Sequence, residues 1–130
     1  MEDRIAAVII KDKKVLLVTG YDEKFYWSPG GKVDGEEAHE KCLKRELKSE
    51  LNVNLISLKK YAEYESINEI KNKIQKSHYY LVQIEGEPKP GDEVTKIIWY
   101  SKQNFLKKDP KVSKGNENFL IPKLLQDNLL

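Results

Sequence analysis

The chain opens on two short, largely aliphatic runs, residues 5–10 and 15–18, separated by the polar tetrapeptide Lys11-Asp12-Lys13-Lys14. Runs of this kind around a polar turn predict a β-hairpin. Residues 19–24 read as a loop. The cluster Phe25-Tyr26-Trp27-Ser28-Pro29-Gly30-Gly31 then sets tandem glycines behind a proline, a sign of an unusual backbone path or of close approach to another group. Residues 36–51 hold neither Gly nor Pro, begin with acidic side chains and carry apolar residues at helical spacing, which predicts a helix. Asn52 stands where helices often end in a left-handed residue.

Downstream, residues 53–67 and 77–85 show partial alternation with many Tyr and Ile residues and predict two strands of a meander. The lysine-rich connection between them, residues 68–76, is expected to be exposed. Residues 86–91 carry two prolines and predict a turn, and 94–100 a further strand. Ser101 is placed to cap a short helix over 101–106. After a loop at 109–115, residues 116–130 predict an amphipathic C-terminal helix whose start Pro122 leaves open. Strands and helices mix without regular βαβ alternation, which points to an α+β fold or mixed-sheet sandwich in a single domain of 130 residues.

Composition narrows the function classes. Lys and Arg number 23 against 21 Asp and Glu, a net charge of +2 that gives no reason to expect nucleic-acid or membrane binding. Cys42 is the one cysteine, so no internal disulfide forms; this fits a reducing compartment, and a cytoplasmic location is the expectation. Cys42 itself reads as a small core residue, and His39 and His78 do not form a metal-ligand pattern.

The helix over 36–51 concentrates the chemistry. At about 100° per residue, Ala38, Cys42, Leu43 and Leu47 share one side, and Glu46 and Glu50 fall within that same stripe. Two carboxylates there need a partner, since burying them charged and unpaired costs several kcal/mol. Magnesium is one candidate, because it takes carboxylate oxygens and completes its shell with water and phosphate. Surface lysines are the other. The preceding glycines offer backbone groups to a phosphate, with Lys32 nearby as a point charge.

Residues 31–53 resemble the signature of the Nudix hydrolase family: Gly31, Glu37, Arg45, Glu46, Leu47, Glu50 and Val53 fit it in register, while Ser49 replaces the first glutamate of a Glu pair and Asn52 a glycine. The order and length of the remaining elements also resemble the family's α/β/α sandwich with a mixed β-sheet. The resemblance implies hydrolysis of a phosphoanhydride bond in a nucleoside diphosphate-linked substrate, with Mg2+, or Mn2+ in its place, as cofactor. It implies that Glu46 and Glu50 hold metal, that Gly30 lends a carbonyl to it, and that Glu93 supplies a further acidic ligand or base. It makes Arg45 and Glu37 the pair that orients the helix, and puts Gly31 and Lys32 beside phosphate. Markers of other subfamilies are absent after the signature, which favours nucleoside triphosphates. Asn116 and Asn118 resemble the site where sanitising members read an oxidised purine; helix capping is the competing role. Phe25, Tyr26 and Trp27 suit either base stacking or core packing. A small-molecule nucleotide is the expected partner, and the protein is expected to be a monomer or homodimer. Loss of a carboxylate at position 49 leaves a weak or non-catalytic nucleotide-binding module as the alternative.

Overall fold

A computed structural model describes residues 2–68 and 70–130. The strands are β1 (Glu2–Val8), β2 (Ile10–Lys11), β3 (Lys14–Gly20), β4 (Gly30–Lys32), β5 (Asn54–Asn68), β6 (Lys73–Glu85) and β7 (Val94–Tyr100). The helices are α1 (His39–Leu51), α2 (Lys102–Lys107) and α3 (Ile121–Gln126), the last preceded by a π-helical turn at Asn116–Leu120.

One sheet has the order β4-β1-β6-β5 and the other β2-β3-β7. The first is mixed, because β1 runs parallel to β6 and antiparallel to β4. Ile5, Ala7, Ile9, Leu16 and Val18 pack with Cys42, Leu43, Leu47 and Leu51 of α1. Ala6, Val8, Val15 and Leu17 face the opposite way, onto Leu120, Ile121 and Leu124. The strands are thus covered by helices on both faces, an α/β/α sandwich. This explains why the first two runs are continuously apolar and do not alternate: both faces of β1 and β3 are core.

The same burial corrects the predicted hairpin. Only Ile10 and Lys11 pair with Lys14 and Val15, whereas β1 crosses to the other sheet. A strand buried on both faces satisfies its backbone best with neighbours on both edges, and β1 finds them in β4 and β6. Asp12 and Lys13 both have positive φ, as a two-residue turn of right-handed strand twist requires, without any glycine.

Other bounds shift for local reasons. The helix starts at His39 and not at position 36, and Ala38 is an exposed N-cap without a side-chain bond. Glu37 is drawn into a turn in which its carboxylate accepts from the Asp34 N–H at 3.1 Å. Asn52 is left-handed, with φ 54° and ψ 41°. Ser101 caps α2 reciprocally with Asn104. The strand predicted from position 77 begins at Lys73, lengthening the β5–β6 hairpin. The C-terminal helix ends at Gln126, short of position 130. Pro122 lacks an N–H to donate backwards, and the turn before it widens so that the Ile121 N–H reaches the Asn116 carbonyl. No helix among the described residues is long and apolar enough to cross a membrane.

Candidate active site

A cleft opens beside the tandem glycines, and α1 supplies its floor with Glu46 and Glu50, one turn apart. Gly30 and Gly31 belong to β4, which pairs with Ile5 and Ala6 of β1. A methyl group on Gly31 would lie 2.5 Å from the Glu46 carboxyl carbon, so glycine is what lets the carboxylate lie against the strand. The Gly30 N–H donates to Glu50 Oε1 at 2.9 Å.

Arg45 organises the acidic side. Its guanidinium donates to both oxygens of Glu37, at 2.8 and 3.1 Å, and to Glu46 Oε1 at 2.6 Å. It also reaches the Lys32 carbonyl at 3.3 Å, tying the strand to the helix. These bonds hold the Glu37 carboxyl down to about 2 and raise Arg45 above its usual value. Glu50 moves the other way. Burial pushes its carboxyl up to about 7, with Glu46 and Asp92 adding repulsion against the opposing pull of Arg4 and the Gly30 N–H. A carboxyl so destabilised in its charged form gains from an added cation. Burial also raises the Cys42 thiol to about 11, in keeping with a core residue rather than a nucleophile.

The Gly30 N–H and Arg45 engage Glu50 and Glu46 through Oε1, which leaves Oε2 of each carboxylate to take a cation. No group of three or more His, Cys, Asp or Glu among the described residues is gathered tightly enough to cage a metal. Two carboxylates with spare oxygens beside glycine suit a hard cation that keeps much of its water and is completed by phosphate, the habit of Mg2+. Zinc, which favours four nitrogen or sulfur ligands, does not suit this set.

Glu93 lines the same cleft and accepts from the Tyr21 hydroxyl at 2.8 Å. Lys32 lines it too, bonded to Glu2 at 3.4 Å. Asn116 is 2% exposed; its Oδ1 accepts from Ser28 at 3.3 Å and its Nδ2 donates to Ser113 at 2.9 Å. The Asn116 N–H is bonded by Ser113 Oγ, so Ser113 and not Asn116 does the capping. Asn118 is exposed and lies outside the cleft lining. Phe25 and Trp27 line the cleft in edge contact, with ring centroids 5.7 Å apart, whereas Tyr26 packs on the opposite core.

Residues that sequence reasoning passed over complete the site. Arg4, in register with Lys32, lines the cleft and bonds the Ser28 carbonyl. Its strand parity with Ala6, which is also in the lining, was the available signal. Asp92 accepts from Ser49 Oγ at 3.0 Å, placing a carboxylate beside the position where the signature glutamate is missing. Nothing local to Asp92 announces this.

A family model described as NUDIX domain matches residues 1–120. The chain belongs to the Nudix family. Nudix hydrolases act on pyrophosphate bonds in nucleoside diphosphate-linked substrates and generally use divalent metal ions. The sequence matches no curated protein. Among solved structures it is similar to the ORF135 protein of E. coli, at 23% identity over 98% of this chain and 91% of that one, TM-score 0.77. A MutT NUDIX hydrolase from Burkholderia pseudomallei shares 22% identity over 88% and 91%, TM-score 0.72. A MutT protein from Methanosarcina mazei Go1 shares 17% over 98% and 94%, TM-score 0.77. At such identities these neighbours attest to the Nudix fold.

Ser49→Glu restores the family residue on α1 and sets it against Asp92. It is expected to tighten Mg2+ binding a few-fold in a calorimetric titration while lowering the metal-free melting temperature, because it adds a repelling charge and removes the Ser49–Asp92 bond.

Proposed function

We propose that this chain is a Mg2+-dependent pyrophosphohydrolase of nucleoside triphosphates, acting in the cytoplasm. The observation that carries the proposal is one cleft lined by the carboxylates Glu46 and Glu50 together with the cationic residues Arg4 and Lys32. Glu46 and Glu50 would hold the metal, with Glu93 near and Mn2+ as a substitute. When bound, the ion supplies Lewis acidity at phosphoryl oxygen and lowers the pKa of a bound water.

The chain's own residues do the rest. Arg45 fixes Glu46 and, through Glu37 and the Lys32 carbonyl, fixes the glycine strand against α1. The Gly30 N–H orients the Glu50 carboxyl. Arg4 and Lys32 offset phosphate charge that builds as the anhydride breaks. Glu50, largely buried and bonded by the Gly30 N–H, would hold the ion that activates water. Phe25 and Trp27 offer ring faces and edges to a base.

MutT proteins among the structural neighbours, and a bifunctional NMN adenylyltransferase/ADP ribose pyrophosphatase, support a nucleotide substrate without choosing among nucleotides. A panel of nucleoside triphosphates, diphosphate sugars and dinucleotides, assayed with Mg2+ for released pyrophosphate or phosphate, tests the reading. Preferred turnover of triphosphates supports it. Nucleotide binding without turnover of any member would establish a binding module instead.

Asn116, which lines the cleft, would be the residue that reads the base. Its two observed side-chain bonds leave one N–H and one carbonyl lone pair of the amide to spare, a donor–acceptor pair suited to a purine edge. Asn116→Ala is expected to flatten the ranking of purine triphosphates, oxidised ones included, while leaving the Mg2+ requirement intact. An equal loss for every base would assign Asn116 to packing between Ser28 and Ser113.

A further inference from the structure

The β5–β6 hairpin runs past the body of the sheet, with its ladder continuing to the pair Asn68↔Lys73. Asn68 Oδ1 accepts from the Ile70 and Lys71 N–H groups at 2.9 and 3.0 Å, and Asn68 Nδ2 donates to Gln75 at 3.0 Å. This turn brings Lys71 over the cleft mouth, where it lines the same cavity as Glu46 and Glu50.

Lys71 meets β1 there. Its ammonium lies 3.4 Å from Glu2 Oε1, and the Lys32 ammonium lies 3.4 Å from the same oxygen. Glu2 is itself held in line with the hairpin, opposite Gln75 in the parallel β1–β6 ladder. One carboxylate between two ammonium groups neutralises only one of them. With Arg4 and Asp3 of the same strand also lining the cavity, these groups keep one positive charge in excess, in the same cavity as Glu46, Glu50 and Glu93. Both lysines are more than half exposed, so their charges are open to a ligand from solvent.

Glu46 and Glu50 would serve the metal-bound phosphoryl group, with Arg4 and Lys32 offsetting charge at the bond that is cut. Lys71, further out on the hairpin, suits anionic groups further along the same polyphosphate, beyond the bond that is cut. We propose that Lys71 is a positioning residue that reads the phosphate chain of a nucleoside triphosphate, with Glu2 presenting Lys71 and Lys32 together. The inference rests on the phosphoanhydride reading above and adds how that site selects chain length. A nucleoside diphosphate sugar, whose neutral sugar would lie beside Lys71, gains nothing from it.

Two measurements test it. In steady-state kinetics, Lys71→Met should raise KM for nucleoside triphosphates about five- to tenfold, the worth of one partly exposed charge-assisted contact, with kcat little changed and diphosphate sugars unaffected. Lys71→Arg should restore KM, and the Lys71→Met defect should shrink as salt rises. The second measurement needs no turnover: tripolyphosphate, titrated calorimetrically in excess Mg2+, should bind Lys71→Met several-fold more weakly than the wild type, and pyrophosphate should discriminate less. Equal tripolyphosphate affinity for both proteins would overturn the role of Lys71. If no nucleotide is hydrolysed, the hydrolase reading falls, and the tripolyphosphate titration still decides this one.

Discussion

Glu50→Gln is expected to remove on the order of 10²- to 10³-fold of Mg2+-dependent hydrolysis, the scale of loss when one preorganised electrostatic group leaves a transition-state site. Glutamine keeps the shape and can still accept from the Gly30 N–H, so folding survives while the charge is lost. Stability should move oppositely to activity. Without metal, Glu50 has a folded pKa of about 7 against an ordinary 4.5. The folded carboxyl therefore holds its proton more tightly than the unfolded one, and the protein loses stability as pH rises from 4.5 through about 7. At about 1.36 kcal/mol per unit this amounts to a penalty on the order of 3 kcal/mol at most once Glu50 is ionised. The neutral glutamine escapes it. Metal-free Glu50→Gln should melt above wild type at about pH 8, with the gap closing towards pH 4.5, and excess Mg2+ should raise the melting point of wild type alone. Unchanged hydrolysis in Glu50→Gln would sink the catalytic role given to α1.

The neighbouring glycines should fail in different ways. Gly30 has φ 143°, and a methyl group there would lie 1.9 Å from the Ile5 carbonyl oxygen, which is backbone of β1 and has little room to yield. Gly30→Ala is expected to cost at least about 3 kcal/mol of stability through strain and broken strand pairing. At Gly31 the obstruction is the end of the Glu46 side chain, which can swing aside. Gly31→Ala should accordingly fold with a small stability change and lose most activity, because Glu46 is displaced from the cleft. Chemical denaturation and initial rates for the two variants separate these effects; equal stability loss for both would show that Glu46 is as fixed as backbone.

The sequence made the core of the site legible because it lies on one helix and one glycine pair. Glu46, Glu50, Arg45 and Glu37 sit within a stretch whose periodicity and spacing can be read directly, and the structure brings them together with Gly30, Gly31 and Lys32. What local pattern could not supply was partnership between distant segments. The first two apolar runs predict adjacency, yet each needs cover on both faces and β1 joins the other sheet. Arg4, Asp92 and Lys71 reach the cleft or its margin only through that arrangement, from strands and loops far apart in the chain. The C-terminal helix shows a smaller version: Pro122 announces a defect, but that the defect becomes a wide turn carrying Asn116 depends on the packing of Leu120 and Ile121 beneath it.

The segment between β6 and β7 looks like ordinary surface connection, yet it is sewn to the end of α1. The Lys89 N–H donates to the Leu51 carbonyl at 3.0 Å and the Gly91 N–H to the Glu50 carbonyl at 2.9 Å, occupying helix-end acceptors that would otherwise need water. Gly91 passes so close that a methyl group would sit 2.7 Å from the Ser49 carbonyl oxygen. Exposed loops usually absorb insertions and deletions at little cost. Here a single added residue would pull on the backbone that carries Glu50, unless it left both of these bonds in place.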